Sequence, residues 1–160
     1  MNSASHAPPK ATQKILVVAH RHPDFSLGGG EIAAYSLYQA YRSHPEVGQA
    51  WFLASADRGR GPTGQISPRR PDEYLWEQGT GDWFMLKAAH RRSVTEQFGT
   101  LLRALEPTAI HAHHYAHLGV EFLRIAKQIK HVLSSKTHRS SRMQRLSTSL
   151  AGFGNTVVVT

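Results

Sequence analysis

Gly28, Gly29, Gly30 and Glu31 stand together where an apolar run has ended and a helical pattern begins. A helix N-terminus gathers N–H groups without intrahelical acceptors and the positive end of the helix dipole. Glycines let a ligand approach that backbone closely. The combination suits a phosphate or the hydroxyls of a sugar. The alternative is a plain flexible loop between a strand and a helix. Glu31 favours the dipole in any protein and can also bond a ligand hydroxyl. The stretch GGGEIA fits the dinucleotide pattern G-x-G-x-x-A, but that pattern places glycine directly after its strand. Here seven residues separate His20 from Gly28. No Gly-Lys-Ser/Thr follows, so a P-loop is excluded.

HAHHYAH, residues 111–117, is the second constellation. In a strand, His111 and His113 point to one side and Ile110 and Ala112 to the other. The two histidines then reach the same carboxyl edge as the glycines. A hydrolytic metal site would need H-x-H-x-D-H, and Tyr115 and Ala116 occupy the Asp and His positions. No metal is therefore expected. His111 and His113 read instead as a polar ligand wall, able to donate hydrogen bonds or carry a proton. His114 and His117 read equally well as structural. Arg69 and Arg70 are of a kind usually solvated, but they can meet an anionic acceptor or lipid.

The elements that position these residues follow from periodicity. Lys14 to His20 is a buried strand, rich in Val, Ile and Leu. A helix is expected from Gly30 to about Arg42, with Ala33, Leu37, Ala40 and Tyr41 as its apolar face. A second strand lies around Ala50 to Ala54. Residues 57–81 read as a long connection of glycines, prolines and arginines. DWFML, residues 82–86, reads as a third strand. Ser93 and Glu96 form a capping-box pattern, and Val94, Phe98, Leu101, Leu102 and Leu105 follow at helical spacing up to Pro107. Thr108 to His113 is a further strand, and Leu118, Phe122, Ile125 and Ile129 mark a further helix. The alternation predicts an α/β fold: a Rossmann-like parallel sheet with helices on both faces.

Composition divides the chain of 160 residues unevenly. Residues 1–13 contain no apolar stretch of signal type and read as a disordered leader. Residues 14–130 form the expected domain. Residues 131–160 are a basic, Ser/Thr-rich tail: all eleven acids lie at or before Glu121, while Lys136, Arg139, Arg142 and Arg145 stand unopposed. Within that tail only NTVVVT looks strand-like. The tail buries too little apolar surface to offset its ordering entropy, so residues from about His131 are expected outside the fold and the sheet incomplete at the C-terminus. The net charge of +8 admits nucleic acid, anionic lipid or phosphate-bearing ligands as partners. Nucleic acid fits poorly, since the excess charge is largely tail and aromatic residues do not interleave with it. The absence of cysteine excludes disulfides and thiolate metal sites and fits a cytoplasmic setting. No run of about 18 apolar residues is present.

Residues 14–130 resemble the N-terminal half of a glycosyltransferase family 4 enzyme. KILVVAH is followed by PDFSLGGGEIAAYSLYQAY, similar to the family's P-x-x-G-G-x-E opening. LEPTAIHAHHYAHLGVEFLRIAKQ is similar to its E-P-D-x-x-H-x-H strand and following helix. The resemblance implies two Rossmann-like domains facing across a cleft. It implies transfer of a sugar from a nucleotide diphosphate sugar to a hydroxyl acceptor, with retention of configuration and no further cofactor. The glycine loop, here Gly28, Gly29 and Gly30, would lie against the donor diphosphate and reacting sugar. The N-terminal domain would hold the acceptor, and His111 and His113 would line the cleft. No catalytic residue is assigned. The family's next strand ends in T-x-H, whereas here the chain reads SSKTH, with His138 a poor stand-in.

The family's C-terminal domain, which carries the nucleotide pocket, has no counterpart in the sequence. The chain therefore looks truncated, with a reading-frame shift near Lys130 as the expected cause. Its expected partners are the sugar donor, the hydroxyl acceptor, an anionic membrane surface on the cytoplasmic side, and a chain supplying the missing domain. The competing expectation is a phosphate- or nucleotide-binding module without transfer chemistry. The 160 residues unaided are expected to transfer no sugar, because positioning between two domains, which can contribute about 7–11 kcal/mol, is lost. Coding DNA read in the other two frames after Lys130 should give an apolar strand ending in T-x-H and a second α/β domain. If neither frame does, the tail is a genuine extension.

Overall fold

The computed structural model describes residues 12–56, 65–77, 92–113, 122–129 and 156–159. Within them the chain forms β1 (Gln13–Ala19), α1 (Gly29–Ser43), β2 (Val47–Ala56), β3 (Ile66–Arg70), β4 (Glu73–Glu77), α2 (Arg92–Leu105), β5 (Ala109–His113), α3 (122–129) and β6 (Thr156–Val159). The strands make one sheet in the order β3-β4-β2-β1-β5-β6. All neighbours are parallel except β3 and β4, which form an antiparallel pair at one edge. The fold is the expected Rossmann-like α/β arrangement.

β1 is apolar on both faces because both faces are covered. Leu16 and Val18 pack with Trp51, Leu53 and Ile110 against Phe98 and Leu102 of α2 and Phe122 and Ala126 of α3. Ile15, Val17 and Ala19 pack with Ala50, Phe52 and Ala54 against Ala34 and Tyr38 of α1. The helices thus lie on opposite sides of β1. α2 ends with Glu106 in a left-handed conformation (φ 48°), followed by Pro107, which cannot continue the helix.

Three expectations need correction. The connection 57–81 contains the β3–β4 hairpin. Its first strand, ISPRR, is an edge strand with mostly exposed side chains, so no apolar pattern marked it, and Pro68 is tolerated there because an edge strand needs fewer N–H donors. The buried face of α1 is Glu31, Ala34 and Tyr38, with Tyr35 and Tyr41 partly buried, whereas Ala33 and Ala40 are exposed. Large rings bury more area than alanine methyls and decide which side faces the sheet. Finally, Thr156–Val159, expected outside the fold, pair in parallel with β5, so the position beyond β5 is filled. β-branched residues suit such a strand. The leader up to residue 11, the DWFML segment, Leu118 and the rest of the tail lie outside the described residues.

Phe52 is fully buried among Tyr35, Tyr38 and the His22 ring. Phe52→Ala is expected to destabilise the fold by roughly 3–5 kcal/mol. Ala33→Ser, on the exposed side of α1, should stay within about 0.5 kcal/mol. Urea denaturation of the two variants checks the assignment of the helix face; equal losses would contradict it.

Candidate functional site

The chain runs from β1 to β2 on one side, and β5 lies on the other side of β1. This reversal makes the carboxyl ends of β1 and β5 the switch point of the sheet, where open α/β sheets place their ligands. The β1–α1 loop leaves Ala19 there, and His113 ends β5 in register with Ala19. Gly28, Gly29 and Gly30 close that loop at the N-terminus of α1.

Each of the three glycines has its own surroundings. Gly28 is the N-cap, in extended backbone, with no side-chain cap. A Cβ on Gly28 would collide with the Glu31 carboxylate, whose Cδ would lie 3.1 Å away. A Cβ on Gly30 would meet the His20 ring at 3.3 Å, whereas one on Gly29 would meet nothing within 4 Å among the described residues. Among the described residues, Gly29 therefore borders open space. None of the three has a left-handed φ, so close approach, not turn geometry, is what glycine provides here.

Glu31 lies in the first turn of α1 and is buried. Its Oε1 is 3.0 Å from His20 Nε2 and accepts a hydrogen bond from Ser26 Oγ at 3.1 Å. Burial pushes its carboxyl up, but its own backbone N–H, Ser26 and His20 together hold it below the usual range. The carboxylate thus fixes the loop from inside. The ligand-bonding role expected for it would compete with these contacts.

No periodicity or motif pointed to the neighbouring cluster. His22 and Glu73 are both buried, and His22 Nε2 lies 3.2 Å from Glu73 Oε2. The Asp24 backbone N–H donates to His22 Nδ1 at 3.1 Å. Nδ1 is therefore the acceptor nitrogen, and the neutral ring carries its proton on Nε2 and donates it to Glu73. Tyr35 Oη donates to Glu73 Oε1 at 2.8 Å, and Arg70 Nη1 donates to Oε2 at 2.7 Å. Arg70 also reaches Asp24 at 3.1 Å, and Arg69 pairs with Asp24 while its guanidinium lies 4.9 Å from the Phe25 ring centre. The two arginines, read from sequence as solvated or anion-binding, have their charges met by Asp24 and Glu73. Burial lowers the His22 pKa more than Glu73 raises it. Burial raises Glu73, but the Tyr35, Arg70 and His22 bonds outweigh it, and the carboxyl sits below its usual value.

His111 and His113 lie on the α1 face of β5, rings stacked with centroids 6.3 Å apart. They do not stand equally close to the edge. His111 pairs with Val17, inside the sheet, and its Nδ1 is 3.2 Å from Tyr41 Oη. Burial first, then His113, lowers its pKa. His113 stands at the strand end. Its Nδ1 is shielded from water and has no hydrogen-bond partner among the described residues. A buried ring nitrogen without a partner is uncommon and marks a place where a ligand atom would be welcome.

The arrangement is a glycine-mouthed helix end, a shielded histidine beside it, and a loop held on both sides by buried carboxylates. It can hold a polar or anionic group against backbone N–H donors. Among the described residues, no group of three or more His, Asp or Glu could hold a metal ion. No described helix is long and apolar enough to cross a membrane. His114, His117 and His138 lie outside the described residues. No family model, curated protein or solved structure matches the chain.

The titrating groups predict two stages of acid loss. His22 and His111 bind protons less readily folded than unfolded, so stability is full above their ordinary value of 6.5 and falls as pH drops below it. Glu73 and Glu31 release protons more readily when folded. Their contribution is full above 4.5 and is lost as pH falls further. Urea denaturation from pH 8 to 3 should show both stages, and His22→Gln should reduce the upper one to the share of His111. Stability that rises on acidification from pH 7 to 5 would contradict the assignment.

Proposed function

We propose that the chain is the acceptor-side domain of a glycosyltransferase that moves a sugar from a nucleotide diphosphate sugar to a hydroxyl acceptor, with retention of configuration. The observation that carries the proposal is Gly29. Among the described residues it borders open space at the first turn of α1, at the switch point of a Rossmann-like sheet, with His113 ending the adjacent strand. The backbone N–H groups of Gly29 and Gly30 have no intrahelical acceptor by helix geometry, and they suit a diphosphate or a sugar hydroxyl. The resemblance to glycosyltransferase family 4 puts the donor diphosphate at the same loop. An anionic membrane surface, or a chain that brings a second α/β domain, would complete the setting on this reading.

A second reading has its own support. Glu31, the acid nearest the glycines in sequence, is committed to His20 and Ser26. That favours a phosphate- or nucleotide-binding module in which this side of the site binds without performing chemistry.

Both readings predict that uridine diphosphate or inorganic pyrophosphate shifts the amide resonances of Gly29 and Gly30. Gly29→Val is the clean variant, because a Cβ there meets no atom of the described residues within 4 Å, and it should weaken binding about tenfold or more with the fold intact. Gly30→Val must displace the His20 ring and should also cost stability. Undiminished binding to Gly29→Val would remove the loop from the site. Transfer separates the readings: with a donor-binding domain supplied in trans, only the first predicts that His113→Ala lowers the rate of sugar transfer.

A further inference from the structure

We propose that Glu73 is a positioning residue, through which the β3–β4 edge hairpin sets the shape of the glycine loop. The inference rests on the reading of that loop as the ligand site. It starts from a mismatch between distance in sequence and distance in space. Glu73 belongs to β4, at the side of the sheet away from β5, yet its carboxylate is bonded to the loop that follows β1.

His22 is the hub of that loop. Its backbone N–H donates to Ser55 O at 3.0 Å, which ties it to β2. Its carbonyl accepts from the N–H groups of Phe25 and Ser26, at 3.0 and 3.2 Å. Its Nδ1 accepts from Asp24 N–H, and its Nε2 faces Glu73. All four polar atoms of His22 are therefore used. The ring is also boxed by Phe25, Tyr35 and Phe52, with centroids 5.5–5.9 Å away. A ring held on every side fixes the turn that it caps.

Contacts then run without a gap from Glu73 to the glycines. Glu73 Oε2 meets His22 Nε2, and His22 O meets Ser26 N. Ser26 Oγ meets Glu31 Oε1, and the Glu31 carboxylate fills the space that a side chain on Gly28 would need. A second tie runs from Arg70 through Asp24 into the same turn. Contiguity alone does not establish coupling, so the proposal needs a readout at the glycines themselves.

Glu73→Gln keeps the size of the side chain and removes its charge. One amide oxygen cannot accept from His22, Tyr35 and Arg70 at once. The expected result is a folded protein in which the Gly28, Gly29 and Gly30 amide resonances move and affinity for uridine diphosphate falls about tenfold, within the usual range of coupling between sites. Tyr35→Phe removes one donor to Glu73 and should move the same resonances in the same direction by less. Asp72→Asn breaks only the exposed pair with Arg42, at 3.9 Å, and should move none of them. If Glu73→Gln does not fold, Tyr35→Phe decides alone. Unmoved glycine resonances in Tyr35→Phe and in any folded Glu73→Gln, beside a lowered melting temperature, would overturn the proposal and leave Glu73 a structural anchor. If the wild-type chain binds no uridine diphosphate, the functional reading fails, and the glycine resonances still decide whether the hairpin sets the loop.

Discussion

Glu73 carries a negative charge at a position almost closed to water. An ionised carboxylate is tolerated in such a place only when charged and polar donors surround it, because the desolvation cost is several kcal/mol. Three donors do so, and each comes from a different part of the chain: His22 from the β1–α1 loop, Tyr35 from α1 and Arg70 from β3. None of these elements can move independently without leaving the charge short of a partner. Removing one side of such an arrangement costs about 3–5 kcal/mol in comparable buried pairs. The loop, the helix and the edge hairpin are therefore one mechanical unit.

The same logic repeats on a smaller scale at Glu31. There the partners are His20 and Ser26, both within the β1–α1 loop or at its start. One carboxylate closes the loop on itself and the other ties it to the sheet edge. Between them the loop keeps a defined path up to the three glycines at the start of α1. That matters for binding, since a loop already in its bound shape loses little entropy when a ligand arrives. A side chain on Gly28 or Gly30 would press on Glu31 or His20, whereas among the described residues Gly29 borders free space.

Much of this architecture was legible in the sequence. The unbroken apolar run of β1 announced a strand covered on both faces, and the spacing of Phe98, Leu102 and Phe122 announced the helices that cover one of them. The glycines and His113 were legible because their residue types are unusual at those positions. The His22–Glu73 cluster was not legible. Its members are far apart in the chain, each is ordinary alone, and Glu73 follows a Pro-Asp turn that reads as surface. Periodicity reports burial of apolar side chains and is blind to a charge buried by its partners. The α1 face was misread for a related reason: alanine was given the same weight as tyrosine, although rings decide which side of a short helix meets a sheet. NTVVVT looked strand-like, but its pairing with β5 was missed because it stands 43 residues after β5, where parallel pairing has no local signature.

The functional reading and the mechanical one meet at His22. A ring that donates from Nε2 to Glu73 and accepts at Nδ1 from Asp24 leaves no room for a second proton without breaking the turn. The most direct measurement is the ring nitrogen spectrum of His22 in the folded chain, followed from pH 8 downwards. The account predicts a neutral ring protonated on Nε2, which takes up its second proton only below the ordinary value of 6.5. A ring protonated on Nδ1, or one that titrates at the ordinary value of 6.5, would contradict it.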